Sequence, residues 1–301
     1  MDRSNELFFS IIIPTYNRSG FIKDSISSLI NQTFKNFEII IIDDGSTDET
    51  RTIIEDIQGT DERIKYFYKT NGERGAARNY GIKKASGKYT TFLDSDDIAY
   101  PFALETAYNQ LVSLGWPECF ALGHEIKDKT TMIKISQTST VSNLNQALLK
   151  GNLLSCIGVF LKSEILTEYH FDEDPEFSGS EDWLLWLKIA AKYTFIHNNI
   201  VCFCMYQHNN RSVMDFPEDK LIYRAVTIKQ RLAADEHFIK RYGKKTVDRI
   251  YAHMLTYASL HLAISGKKKR AIHYWLCAFF SGTNEIFSRR TLAIFKMLLL
   301  N

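Results

Sequence analysis

The sequence predicts an α/β fold: a mostly parallel sheet sandwiched by helices, followed by a C-terminal helical extension. Three observations predict it. Short apolar runs rich in Ile, Phe and Tyr recur at residues 8–13, 37–42 and 89–93, the pattern of strands buried on both faces. The stretches between them return apolar residues at helical spacing, with short connections. Each run also ends in a polar cluster, at residues 15–18, 43–44 and 94–97. Ligands of open α/β sheets bind at the carboxyl ends of strands, so three clusters on one edge mean more than one alone.

The first strand covers residues 8–13 and stops at Pro14. Phe21, Ile22, Ile26, Leu29 and Ile30 then mark a helix to about Asn31. The second strand, 37–42, leads into Asp43-Asp44-Gly45-Ser46, where Ser46 and Glu49 are spaced as a capping box for the next helix. Residues 63–68 make a third strand, and Asn71-Gly72 turns the chain into a helix from about 75 to 85. The fourth strand, 89–93, ends in Asp94-Ser95-Asp96-Asp97, and Pro101 suits the first turn of a further helix. Strands are then expected at 119–127, 131–136, 156–161 and 195–206. Helices are expected at 144–150 and 181–190, with an acidic loop at 169–180 and mainly helix after 218.

The 301 residues suit one large α/β domain with an appendage, or two small domains. We divide the chain into an α/β part, 1–215, with halves of about 1–115 and 116–215 where the pattern changes, and a helical extension, 216–301. The net charge of +2 says little, but its distribution is uneven: residues 266–301 hold seven basic side chains against one acid. The five cysteines include no Cys-x-x-Cys pair, so reduced core residues of a cytosolic protein are expected rather than zinc ligands. The opening apolar run lacks a basic flank and ends in proline, which fits a buried strand better than a leader. No apolar run reaches the roughly 18–20 residues of a membrane span.

Three carboxylates within four residues (Asp94, Asp96, Asp97) repel one another unless something positive lies among them. A hard divalent cation is the natural candidate, because Mg²⁺ and Mn²⁺ take carboxylate oxygens and share them with phosphates. A solvated acidic turn is the plain alternative. The pair Asp43 and Asp44 exceeds the one acid a helix cap needs, and a carboxylate there suits a nucleobase imide or a ribose hydroxyl. Arg74 and Arg78 lie four apart on one helix face, beside small residues that let a diphosphate approach, although a solvated basic face has the same spacing. Glu181 and Asp182 open a helix, where acids complement the dipole, and beside Trp183 a partly desolvated carboxylate is placed to accept a proton. His208, with Arg211 and Ser212 after it, follows the last strand. A lone His is more often structural, but neutral imidazole also suits a metal.

In order along the chain, Ile13-Pro14-Thr15-Tyr16-Asn17-Arg18, Ile42-Asp43-Asp44-Gly45-Ser46-Thr47-Asp48, Ala77-Arg78-Asn79-Tyr80-Gly81-Ile82, Phe92-Leu93-Asp94-Ser95-Asp96-Asp97, Gly179-Ser180-Glu181-Asp182-Trp183 and the late His208 resemble the family 2 glycosyltransferases of the bacterial surface-polysaccharide type, over roughly residues 8–212. The resemblance implies the GT-A fold and an inverting, metal-dependent transfer from a nucleotide sugar, expected to be a UDP-sugar, to a saccharide or lipid-linked acceptor. It implies that Thr15, Tyr16 and Arg18 line the nucleotide pocket, that Asp44 holds the base with Asp43 supporting the loop, and that Arg78 lies near base and diphosphate. Asp94, with Ser95 beside it, would contact the ribose. Asp96 would hold Mn²⁺ or Mg²⁺, with His208 completing the shell and Asp97 a further candidate ligand. Asp182 would be the general base, with Glu181 and Trp183 on the acceptor side. Relatives often carry an acid two positions after the base; here Leu184 and Leu185 follow Trp183, a departure on the acceptor side.

The tail lies outside this resemblance. Basic residues at 267–270 and 289–290 stand beside aromatic and aliphatic ones, as on a helix lying on an anionic membrane surface, which would place the protein in the cytoplasm, peripheral on the inner face of the membrane. A helical cap or an oligomer interface is the competing use. Nucleic acid is not expected as a partner, since the basic run is short and flanked by apolar residues. A catalytically degenerate nucleotide- or membrane-binding scaffold is the non-enzymatic alternative. An Asp-nucleophile phosphatase ranks lower because Ile98 stands where such enzymes carry Thr or Val, and a Rossmann dehydrogenase lower still for want of a glycine fingerprint after the first strand.

Overall fold

A computed structural model describes residues 7–138, 141–207, 217–281 and 289–300. The chain forms two compact units. The first takes Met1–Leu144, Leu153–Leu185 and Tyr193–Arg211, and the second takes Asn145–Asn152, Trp186–Lys192 and Ser212–Asn301.

The first unit is built on one sheet. Its strands are β1 (Phe9–Thr15), β2 (Phe37–Asp43), β3 (Ile64–Tyr68), β4 (Tyr89–Phe92), β5 (Ile98–Ala99), β6 (Cys119–Asp128), β7 (Lys134–Gln137), β8 (Val159–Lys162) and β9 (Phe195–Gln207). Their order is β3-β2-β1-β4-β8-β6-β9-β5, with β7 on β6. The half formed by β3, β2, β1 and β4 is parallel throughout, and β6 runs parallel to β9. Strand β8 enters antiparallel between β4 and β6.

Helices α1 (Ile22–Ile30), α2 (Thr50–Gln58), α3 (Glu73–Ile82) and α4 (Ala103–Ser113) cover this sheet. The period of two along each strand decides which helix meets which residue. Phe9, Ile11 and Ile13 of β1 and Phe37, Ile39 and Ile41 of β2 share one core with Ile22, Ile26 and Leu29 of α1 and Leu104 and Leu111 of α4. Ile12 and Ile42 point the other way, to α3, where a Cβ at Gly81 would lie 2.5 Å from Ile12 and 3.3 Å from Ile42. Only a residue without a side chain lets α3 sit that close to the sheet.

Several elements differ from expectation. Strand β1 continues through Pro14 to Thr15, because its pairing with β4 ends at Ile12 and no ladder bond is asked of the proline on that side. Helix α3 begins at Glu73, in a left-handed backbone (φ 68°), rather than near 75. The two-residue strand β5 has no signal of its own in the sequence; its pairing with β9 defines it. The capping box does not form. The Ser46 hydroxyl accepts from Asn17 N–H (2.9 Å) instead, and Asp48, not Ser46, takes the Thr50 N–H (3.1 Å) at the start of α2. All five cysteines are free thiols, four of them buried and Cys277 half-buried.

The second unit is helical: α5 (Leu144–Leu148) leads into it and α6 (Glu181–Lys192) ends in it, followed by α7 (Glu218–Ala233), α8 (Glu236–Tyr242), α9 (Lys244–Ile264), α10 (Lys268–Ser281) and α11 (Arg289–Leu300). Helices α7, α10 and α11 pack around α9. Ala225, Ala252, Leu255 and Ala278 form one small core, and Leu262, Ala263, Ala271 and Ile294 another. Among the described residues no helix is long and apolar enough to cross a membrane.

Candidate active site

The carboxyl ends of β1 and β2 carry two loops that are bonded to each other. Asp44 N–H donates to Thr15 O (2.8 Å), Arg18 N–H to Thr50 Oγ1 (2.8 Å) and Ser19 N–H to Asp48 Oδ2 (3.1 Å). Asn17 adopts a left-handed backbone (φ 50°), one of the few non-glycine residues that tolerates it, and its Oδ1 accepts from Thr47 N–H at 2.8 Å. Thr15 is buried, whereas Tyr16 is 47 % exposed at the rim.

The two adjacent acids at the end of β2 have different partners. Asp43 accepts from Ser46 N–H (2.8 Å) and from the Tyr66 hydroxyl (2.9 Å), so it shapes its own loop. Asp44 accepts from Gly72 N–H (3.0 Å) and from Lys69. Burial raises the Asp44 carboxyl above its ordinary pKa, a push that Lys69 and Gly72 only partly offset. Gly45 makes this loop possible: its φ is +86°, and a Cβ there would stand 3.0 Å from Asn71 N.

At the end of β4 the chain turns sharply, with Asp97 N–H on Asp94 O (3.0 Å). The turn sends its acids in different directions. Asp97 is fully buried and accepts from Tyr206 N–H (3.3 Å) of β9. Ser95 is also buried, while Asp94 and Asp96 are partly exposed. Asp96 lies 3.7 Å from the Arg18 guanidinium, so the first and fourth strand ends meet through opposite charges.

Arg78 joins β4 to the start of α6. It donates from Nη2 to Asp94 Oδ1 (2.8 Å) and from Nη1 to Glu181 Oε1 (2.7 Å) while stacking over Phe171, 5.3 Å from the ring centre. Glu181 gives its other oxygen to Gly179 N–H (2.6 Å). Burial pushes the Glu181 pKa up, but the guanidiniums of Arg78 and Arg74 and the backbone N–H groups outweigh it and hold the carboxyl below its ordinary value. Burial alone would lower the Arg78 pKa; Cys156, Asp94 and Glu181 around it leave it raised. The adjacent Cys156 thiol is pushed up by its own burial, against the pull of Arg78.

Asp182 is half-buried in the first turn of α6 and accepts from Trp183 N–H (2.7 Å). Trp183 is itself buried. Glu181 and Trp183, expected on the acceptor side, therefore both have buried side chains, the first as a counter-ion of Arg78. Arg78 too is enclosed, as an ionic link under the site. His208, Arg211 and Ser212 lie outside the described residues.

Sequence reasoning assigned no role to some of the residues that hold this site together. Asn79 clamps the backbone of Phe171, donating to its O (2.9 Å) and accepting from its N–H (3.0 Å). Gly75 admits that segment, since a Cβ there would lie 2.3 Å from Asp172 O. Tyr68 ends β3 opposite Asp43 and is 52 % exposed, a second aromatic at the same edge as Tyr16. Asn79 follows Arg78 and Gly75 precedes it by three residues, but nothing local in the sequence points to their partners at 171–172.

Among the described residues no group of three or more His, Cys, Asp and Glu side chains is arranged to hold a cation unaided. Asp94 and Asp96 nevertheless supply hard oxygen donors at a partly exposed edge. A magnesium-type ion bound together with substrate phosphates asks for only one or two carboxylates, so the donor set fits.

The family model described as Glycosyl transferase family 2 matches residues 10–115. An uncharacterized glycosyltransferase of Haemophilus influenzae is 37 % identical over 175 residues, covering 56 % of this chain and 67 % of the relative. An uncharacterized glycosyltransferase of Rickettsia conorii is 37 % identical over 195 residues, covering 62 % of this chain but only 31 % of the relative, so the chain spans about a third of that protein. The GalNAc(5)-diNAcBac-PP-undecaprenol beta-1,3-glucosyltransferase of Campylobacter jejuni is 36 % identical over 197 residues, 62 % of this chain and 60 % of its own length. Among solved structures, S. aureus TarS 1-349 in complex with UDP-GlcNAc superposes with a TM-score of 0.71 at 19 % identity, over 97 % of this chain and 88 % of that one. A mannosyltransferase from Pyrobaculum calidifontis, in complex with GDP-Man and Mn²⁺, gives 0.51 at 15 % identity, over 97 % and 86 %. These structural likenesses establish a shared fold, the GT-A architecture expected from the sequence.

Proposed function

Because the chain belongs to glycosyl transferase family 2, we propose that it moves a sugar from a UDP-sugar to a hydroxyl of a saccharide or lipid-linked acceptor, with inversion, in cell-surface polysaccharide assembly. The observation that carries this reading is the bridge Asp94–Arg78–Glu181, which brings the acids after β4 and the start of α6 within the span of one guanidinium. This supports a site in which Asp94 serves the donor and Asp182, next to Glu181 in α6, serves as the base. The donor and the lipid-linked acceptor are supported by the UDP-GlcNAc of TarS and by the name of the Campylobacter relative.

In this reading Asp44 accepts from the nucleobase, Thr15, Tyr16 and Arg18 line the nucleotide, and Asp94 meets the ribose. Asp96, with His208 and Asp97 as further candidates, would hold Mn²⁺ or Mg²⁺, which when bound neutralises the charge of the departing diphosphate. Asp182 takes the proton of the acceptor hydroxyl as its oxygen attacks the anomeric carbon. The bond from that carbon to the diphosphate oxygen breaks, and the nucleoside diphosphate leaves with the electron pair. One displacement from the opposite face inverts the configuration.

The test is Asp182→Asn. The variant should bind the nucleotide sugar as the unmodified protein does and fail to transfer the sugar; an Asp182→Asn protein with full transferase activity overturns the assignment.

A further inference from the structure

We infer that the outer face of α10 and α11 is a docking surface for an anionic phospholipid bilayer. This inference concerns the second unit alone and stands whether or not the assignment of donor and base is right.

Helix α10 presents Lys269, Ile272, Leu276 and Phe280 to solvent at spacings of three and four, so they form one exposed stripe. Helix α11 presents Leu292, Phe295 and Leu299 in the same way. The two helices are neighbours, since Trp275 of α10 meets Phe295 of α11 edge-on with ring centres 5.0 Å apart. Three large apolar side chains here are mostly bare: Phe280 is 80 % exposed, Leu292 70 % and Leu299 86 %. Monomeric proteins rarely leave such residues clustered without a partner.

Charge selects the partner. Lys267, Lys268, Lys269, Arg289 and Lys296 lie on or next to these helices, and neither helix contains an acid. Arg270 is already engaged, by Glu218 of α7. A second copy of the same face would set these cations against one another. An anionic headgroup layer pairs with them while its acyl boundary takes Phe280, Leu292 and Leu299, the arrangement of an interfacial amphipathic helix. Neither helix spans, so the protein would lie on the bilayer.

The experiment is co-sedimentation of the full chain with vesicles, one set of pure phosphatidylcholine and one mixed with phosphatidylglycerol, in about 0.1 M and about 1 M salt, where screening lengths fall from roughly 10 Å to 3 Å. Expected are binding to the mixed vesicles only and at least a tenfold loss of binding in high salt. Replacing Lys267, Lys268 and Lys269 by Gln should weaken binding on the order of a hundredfold. Phe280→Ser with Leu299→Ser should weaken it further, with circular dichroism unchanged because these side chains are exposed. No binding to mixed vesicles, equal binding to both sets, or a lipid-free oligomer that Phe280→Ser dissolves would each overturn the inference.

Discussion

Arg78 reaches Glu181 across 103 residues of sequence, Nη1 to Oε1 at 2.7 Å, with both side chains only 3 % exposed. Neither charge has water to fall back on, so each depends on the other. Arg78→Met should therefore cost about 3–5 kcal/mol, because it leaves Glu181 as an uncompensated buried acid. Urea denaturation measures this. Arg78→Lys should recover little of it, since one ammonium does not reach Asp94 and Glu181 as a planar fork does.

Acid should expose the same dependence. Glu181 and the buried Glu38 are both held below the ordinary carboxylate value; burial pushes each up, but Arg78 and Arg74 outweigh it at Glu181, as Lys65, Ser10 and Ser86 do at Glu38. A depressed carboxyl contributes stability that is complete above its unfolded pKa of about 4.3 and is lost as pH falls through the lower folded value. The melting temperature should be nearly flat above about pH 5 and fall below it. Glu38→Gln should start lower and lose less on acidification.

Gly75→Ala tests packing rather than charge. The new Cβ would stand 2.3 Å from Asp172 O, a backbone atom that cannot swing aside. Helix propensity favours the substitution by about 1 kcal/mol, but overpacking of this kind costs about 1–3 kcal/mol. Stability should drop slightly. Transferase activity should fall tenfold or more, because α3 carries Arg78 and small misplacements in a site are amplified in rate. Unchanged kinetics would show that the 171–173 segment does not set the position of Arg78.

Asp44→Asn separates binding from chemistry. With Asp44 as the acceptor for the base, the variant should raise KM for the nucleotide sugar about tenfold and leave kcat within a factor of about three, the signature of lost uniform binding. Initial-rate measurements over donor concentration decide it.

The parallel strands were legible because burial on both faces leaves a short run of apolar residues, as at residues 39–42. The polar clusters at their ends were legible because several polar residues follow each apolar run together, more than a turn or a helix cap needs. Pairing between distant segments was not legible. Ser46 and Glu49 have the spacing of a capping box, but Asn17 competes for Ser46 from another loop. Glu181 reads as a helix-dipole acid until Arg78 arrives from far away in sequence. Strand β5 is two residues long and exists only because β9 lies beside it. In each case the deciding partner is remote in sequence, where local propensity carries no information.

The mutual bonding of Asn17, Ser46 and Thr47 has a consequence for redesign. The loops after β1 and β2 form a single cassette. Transplanting either one from a relative would strip a side-chain acceptor from a backbone amide of the loop left behind and hand that amide to water, so a graft that keeps the pairing has to move both together.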